Sequence, residues 1–84
     1  MFSFSDNVKE IVKKIPKGKT MSYGEVARKA GNKNGARAVG AIMKANRNPQ
    51  IPCHRVIRSD GSPGGFNRGT KKKIELLKSE GVRM

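Results

Sequence analysis

An 84-residue chain with 19 Lys and Arg against six Asp and Glu, a net charge of +13, is the size of one small domain and has the charge balance of a polyanion binder. One cysteine excludes an internal disulfide and fits a reducing compartment, and one cysteine with one histidine falls short of the four ligands of a structural zinc site. No apolar run nears the roughly 18 residues of a membrane span and MFSFSDNVKEIVKK lacks a signal-peptide profile, so the expectation is a cytoplasmic protein, nucleoid-associated in a prokaryote, with no membrane partner.

Four segments carry helical signals. Val8, Ile11, Val12 and Ile15 fall at i, i+3, i+4 and i+7, the apolar stripe of a first amphipathic helix that Pro16 and Gly18 stop. In TMSYGEVARKAG, Ser22 is an N-cap with Glu25 three residues on, a capping box, and Gly31 is the terminator of a short helix from about Tyr23 to Ala30. NKNGARAVGAIMKANRNP predicts a third helix begun near Asn34 and ended before NRNP, with Ala36, Val39, Gly40 and Met43 on one side and Arg37, Ala41 and Lys44 on the other. Two short helices joined by GNKN have the outline of a helix-turn-helix. HRVIR is predicted extended and is followed by the loop SDGSPGGFNRG. The last helix starts at about Thr70, turns Ile74, Leu77 and Leu76 inward, and ends at Gly81. The expected fold is a mainly α single domain over 1–84, winged-helix-like, with a short extended active-site segment.

The third helix is poorly equipped to read a major groove, because Ala36, Ala38, Gly40, Ala41 and Ala45 offer little hydrogen-bonding chemistry. Small side chains instead permit close backbone approach in a shallow or narrow groove, where Arg37 acts as wedge or phosphate contact. The bland reading, an Ala-rich helix that folds well with Arg37 as a solvated charge, stands beside it.

Cys53 and His54 adjoin in IPCHRVIRSDGSPGG. A cysteine attacks only as thiolate, so activation needs a base or a positive neighbour, and His54, Arg55 and Arg58 supply these within six residues. Adjacent residues of an extended segment point to opposite sides, so contact between the pair requires a water or a turn made by Pro52. The base needs an orienter on its far nitrogen, with Asp60, Glu75 and Glu80 as candidates. The alternative is an inert buried cysteine beside a satisfied histidine.

IPCHRVIRSDGSPGGF strongly resembles the active-site signature, PCHRV, of the O6-alkylguanine-DNA alkyltransferases, the methylated-DNA–protein-cysteine methyltransferases. FSDNVKEIVKKIPKGKTMSYGEVARKAG is similar to the first two helices of that family's C-terminal domain, GARAVGAIMKANRNP to its recognition helix and asparagine hinge, and GGFNRGTKKKIELLKSEG to its active-site loop and last helix. The resemblance implies minor-groove binding of duplex DNA containing O6-alkylguanine, rotation of the damaged base out of the stack, and irreversible transfer of its alkyl group to Cys53. It implies that His54 takes the thiol proton through a water, that Glu80 orients His54, and that Tyr23 turns the nucleotide's phosphate and helps protonate the leaving guanine. Arg37 then fills the vacated stack, with Ala36, Gly40, Ala41, Lys44, Tyr23, Asn46 and Arg55 as the further DNA-binding residues, and Asn46 steadies the turn before the cysteine. Ser59, Gly64, Gly65 and Phe66 form the pocket for the flipped base.

Alkyl transfer to sulfur needs a thiolate and a protonatable leaving group, so no metal or cofactor is expected, and a monomer suffices. Three departures stand out. The chain is expected to lack the N-terminal domain of most relatives, Phe66 replaces a usual tyrosine with Arg68 where small residues are frequent, and NRNPQIPC is one residue shorter than usual. The strongest alternative is an alkyltransferase-like protein, a short non-enzymatic sensor that binds O6-alkylguanine DNA and recruits another repair pathway. That class typically lacks the acceptor cysteine, so Cys53 argues against it. A plain transcription regulator leaves PCHRV unexplained.

Overall fold

In the computed structural model, which describes residues 3–64 and 69–83, the chain opens with α1 (Phe4–Lys13). Ser3 caps it reciprocally with Asp6: the serine hydroxyl accepts from the Asp6 N–H, and the Asp6 carboxylate accepts from the Ser3 N–H. Val8 and Val12 of the stripe have no exposed surface, Ile15 is buried just past the helix, and Ile11 packs at the edge of the core. Strand β1 (Met21–Ser22) leads directly into α2 (Tyr23–Lys29), where the Ser22 hydroxyl accepts from the Glu25 N–H at 3.1 Å.

The turn after α2 is a Schellman motif. Gly31, at φ +102°, donates its N–H to Arg28 O, and the Asn32 N–H reaches Ala27 O. The chain then enters α3 (Ala36–Ala45) through Gly35, two residues later than the predicted start. The Asn34 N–H is held by the Asn32 side chain, which keeps that residue in the turn. Gly35 is buried so close to α1 that an added Cβ would lie 2.7 Å from the Phe4 ring. Helices α2 and α3 therefore form the helix-turn-helix pair, with Val26, Ala27, Val39 and Met43 buried between them and α1.

The segment after α3 departs from the expected extended piece. Pro52, at φ −77° and ψ 69°, makes an inverse γ-turn in which the Cys53 N–H donates to Ile51 O, and Cys53–Arg55 then form a 3-10 turn. Extended backbone begins only at β2 (Val56–Ile57), which pairs in parallel with β1, Met21 against Val56 and Ser22 against Ile57. This two-rung ladder sets the start of α2 beside the 3-10 turn. Helix α4 (Thr70–Ser79) closes the fold. It buries Leu77 fully and leaves Ile74 and Leu76 half-buried, while Lys73, on the Leu77 face one turn earlier, has no exposed surface.

The core is one cluster that joins Val8, Val12, Val26, Val39, Val56 and Cys53 across these elements. Each fully buried valine contributes about 1.5–3 kcal/mol relative to exposure. The architecture is mainly α, and the nucleophile candidate sits in the core wall rather than on a free loop.

Candidate active site

Cys53 is 8% exposed and opens the 3-10 turn. Its neighbour His54 turns toward the end of α4, where Nε2 lies 3.0 Å from both carboxylate oxygens of Glu80. A carboxylate can only accept, so Nε2 donates and Nδ1 is left as the ring's acceptor. Glu80 occupies this position because α4 ends there. It is the C-cap of a second Schellman motif, in which Gly81 at φ +92° donates to Lys78 O and Val82 donates to Leu77 O. Of the three candidate orienters, Asp60 instead binds the N–H and hydroxyl of Ser62, and Glu75 is exposed. Cys53 and His54 both line a cleft of about 560 Å³ between α1, the 46–52 bend and α4, which gives a bridging water room to reach them.

The structure gives Arg55 a different place from the DNA contact expected of it. Its Nε donates to Glu80 Oε1 at 3.0 Å, Nη2 to Oε2 at 2.7 Å, and Nη1 to Ile15 O at 2.8 Å. The forked bond from Arg55, with the bond from His54 second, holds the Glu80 carboxyl down at about 2, against the opposing pull of desolvation. Asn46 is likewise spent inside. Its amide donates to Asn48 O and Ile51 O and its Oδ1 accepts from the Asn48 N–H, bracing the bend that leads to Pro52.

A second group of polar side chains meets on the β1–β2 side. Lys73 Nζ donates to Val56 O at 2.6 Å and to the Tyr23 hydroxyl at 3.1 Å, with the ammonium 5.4 Å from the Tyr23 ring centre. Burial drives the Lys73 ammonium down to about 8, an effect partly offset by charge on Cys53. Burial also raises the Tyr23 phenol, with Arg58 opposing and Cys53 adding to the rise. Gly64, at φ +73°, lies against Tyr23: a Cβ there would sit 3.2 Å from the Tyr23 ring and hydroxyl. Sequence reasoning missed Lys73, because a lysine among Lys71, Lys72 and Lys73 reads as solvated surface. Its spacing of four before Leu77 is the one signal that places it on the inward face.

Arg37, Ala38, Ala41, Lys44 and Ala45 form the exposed face of α3, with Ala36 and Gly40 half-buried at its margins. An added Cβ at Gly40 would meet nothing within 4 Å, so the fold itself does not require glycine there. Ser59 is exposed in the turn after β2, and Gly65, Phe66 and Arg68 lie outside the described residues. Among the described residues no three His, Cys, Asp or Glu side chains converge on a metal-sized site, and no helix is long and apolar enough to cross a membrane.

The architecture is that of a small helical DNA-binding domain, with a cysteine and a hydrogen-bonded histidine–glutamate pair set behind its helix-turn-helix. The chain belongs to the 6-O-methylguanine DNA methyltransferase family, whose DNA-binding domain profile matches residues 3–82. It is 46% identical over 84 residues to the methylated-DNA–protein-cysteine methyltransferase of Methanothermobacter thermautotrophicus, covering 96% of this chain and 46% of that one. The Homo sapiens enzyme of the same name is 42% identical over 76 residues, covering 89% of this chain and 37% of that one. The chain thus spans less than half the length of these two relatives. Among solved structures, Mycobacterium tuberculosis OGT in complex with DNA superposes with a TM-score of 0.89 at 38% identity, covering 96% of this chain and 50% of that one. S. pombe Atl1 in complex with damaged DNA containing O6-carboxymethylguanine superposes at 0.86 and 35% identity, covering 99% of this chain and 82% of that one.

Proposed function

We propose that this chain repairs duplex DNA by moving a methyl or other alkyl group from O6 of guanine onto Cys53, once per molecule. The observation that carries the reading is that Cys53 lines one cleft with His54 and its partner Glu80 and interacts electrostatically with the bonded Tyr23–Lys73 pair, which brings a candidate base and a candidate acid to the same thiol. His54 Nδ1 takes the thiol proton through a water in the shared cleft, while Glu80 holds the ring by accepting from its Nε2–H. The thiolate attacks the alkyl carbon, the carbon–O6 bond breaks as the sulfur–carbon bond forms, and the electron pair stays on the guanine. Tyr23 gives its proton to a ring nitrogen of that guanine, and Lys73 re-protonates Tyr23 across the 3.1 Å bond between them. Atoms and charge balance without a cofactor.

O6 lies inside the base pair, so the guanine is turned out of the stack first. The low Ala/Gly face of α3 enters the minor groove, Lys44 meets phosphate and Arg37 fills the gap left in the stack. Gly64 and Ser59 border the extruded base. The working unit is a cytoplasmic monomer on DNA.

The test is to incubate the protein with duplex DNA containing O6-methylguanine and then to take an intact mass and a peptide map. One methyl group on Cys53, absent from Cys53→Ser, is the expected result. Binding to that DNA with no mass change would instead favour the non-enzymatic sensor, the second reading. Its support is the likeness in fold to S. pombe Atl1 in complex with damaged DNA, TM-score 0.86 at 35% identity.

A further inference from the structure

We infer that Arg55 is a positioning residue that keeps His54 an uncharged base, by sharing the Glu80 carboxylate on which the imidazole hangs. The inference rests on His54 being the base for Cys53. Glu80 has two partners at bonding distance, His54 Nε2 at 3.0 Å and the Arg55 fork at 3.0 and 2.7 Å, all in a largely buried corner where side-chain exposures are 11–16%. A carboxylate alone in such a corner would pull a proton onto the histidine, because imidazolium and carboxylate then neutralise each other. A histidine already charged cannot accept the thiol proton. With Arg55 in place the carboxylate is already neutralised. A proton on His54 would then leave the corner with a net positive charge, so the Arg55 fork works against it.

The surroundings act in the same direction but less directly. Lys13 of α1 and Arg47 after α3 line the same cleft as His54, and Cys53 is the remaining ionisable side chain on it. Arg47 is turned to the end of α3, where it donates to Lys44 O and Asn46 O. Arg55 is the cation in hydrogen-bond contact with Glu80, and its third bond, to Ile15 O, fixes the guanidinium so that both arms of the fork meet the carboxylate. The assignment also explains why an arginine of so basic a chain points inward.

His54 is the sole histidine, so its ring signals can be followed by NMR through a pH titration without ambiguity and without DNA. In Arg55→Gln the titration midpoint is expected to rise by about one unit or more. Single-turnover transfer from pre-bound DNA should then slow about tenfold near neutrality and recover at higher pH, the acid limb of the rate profile moving with the midpoint. Arg55→Lys, which keeps the charge, should hold the midpoint near that of the unaltered protein. A midpoint that stays or falls in a folded Arg55→Gln protein, or a rate loss equal at every pH, would overturn the inference. If Arg55→Gln does not fold, Arg55→Lys with Glu80→Gln supplies the test: removing the carboxylate should lower the midpoint, and no change would count against the proposal. Because the titration needs no substrate, its outcome is independent of whether Cys53 accepts a methyl group.

Discussion

Lys73→Met separates folding from chemistry at a single side chain. The substitution leaves Val56 O without its 2.6 Å donor, a loss of about 1–3 kcal/mol, and it removes a buried ammonium, a gain of similar size. Stability in urea is therefore expected to stay within about 2 kcal/mol of the unaltered protein, while methyl transfer to Cys53 falls by about 10²-fold, the usual contribution of a positioned acid. Burial sets the pH range of this effect. The folded lysine titrates at about 8 against 10.5 when free, so a donor that must hold its proton gives a rate that falls as pH rises through about 8. Between those two values the unfolded chain binds the extra proton, so folding stability rises with pH there, opposite in sign to the rate. A rate–pH profile for Lys73→Met that keeps the alkaline limb would count against the relay. At this scale the sequence was partly legible. Residue spacing alone left Glu80, Asp60 and Glu75 open, because the choice depends on where α4 stops relative to the 3-10 turn, and only the family resemblance picked Glu80; the inward paths of Lys73 and Arg55 were hidden because a basic side chain buries only when distant oxygens receive it.

At the scale of elements, the carboxylate that holds His54 is placed by a helix stop. Gly81 at φ +92° closes the motif that makes Glu80 the C-cap. Gly81→Ala forces a side chain into left-handed backbone, at a cost of about 1–2 kcal/mol. Stability should drop by that amount in a denaturant melt, and the transfer rate should drop further as the His54–Glu80 distance loosens. An unchanged rate in a destabilised protein would mean that the carboxylate finds His54 without the cap. Helix stripes, the Ser22 cap and the Gly31 and Gly81 stops were readable because each is a signal within a few residues. The β1–β2 ladder and the Pro52 turn were not read as such, since a two-residue strand has no period and its partner lies 35 residues away.

For the whole molecule, the +13 charge and the small-residue face of α3 act together. If six or more phosphates are contacted, affinity for DNA should fall by about 10³-fold or more between 50 and 200 mM salt. Fluorescence anisotropy with a labelled duplex measures this directly, and a slope corresponding to one or two phosphates would show that most of the charge lies away from the bound strand.

The Arg55 bond to Ile15 O and the Arg55 fork on Glu80 have a consequence for how the molecule fails. They fasten the end of the first helix and the end of the last helix to one carboxylate. Helix ends ordinarily open more cheaply than helix centres, which stay intact as the ends fray. Here fraying at either end disturbs the orientation of the base. On the proposed function, gentle heating should therefore yield a molecule that keeps its helices and its binding to DNA but no longer transfers alkyl groups, so that retained structure is a poor guide to retained transfer.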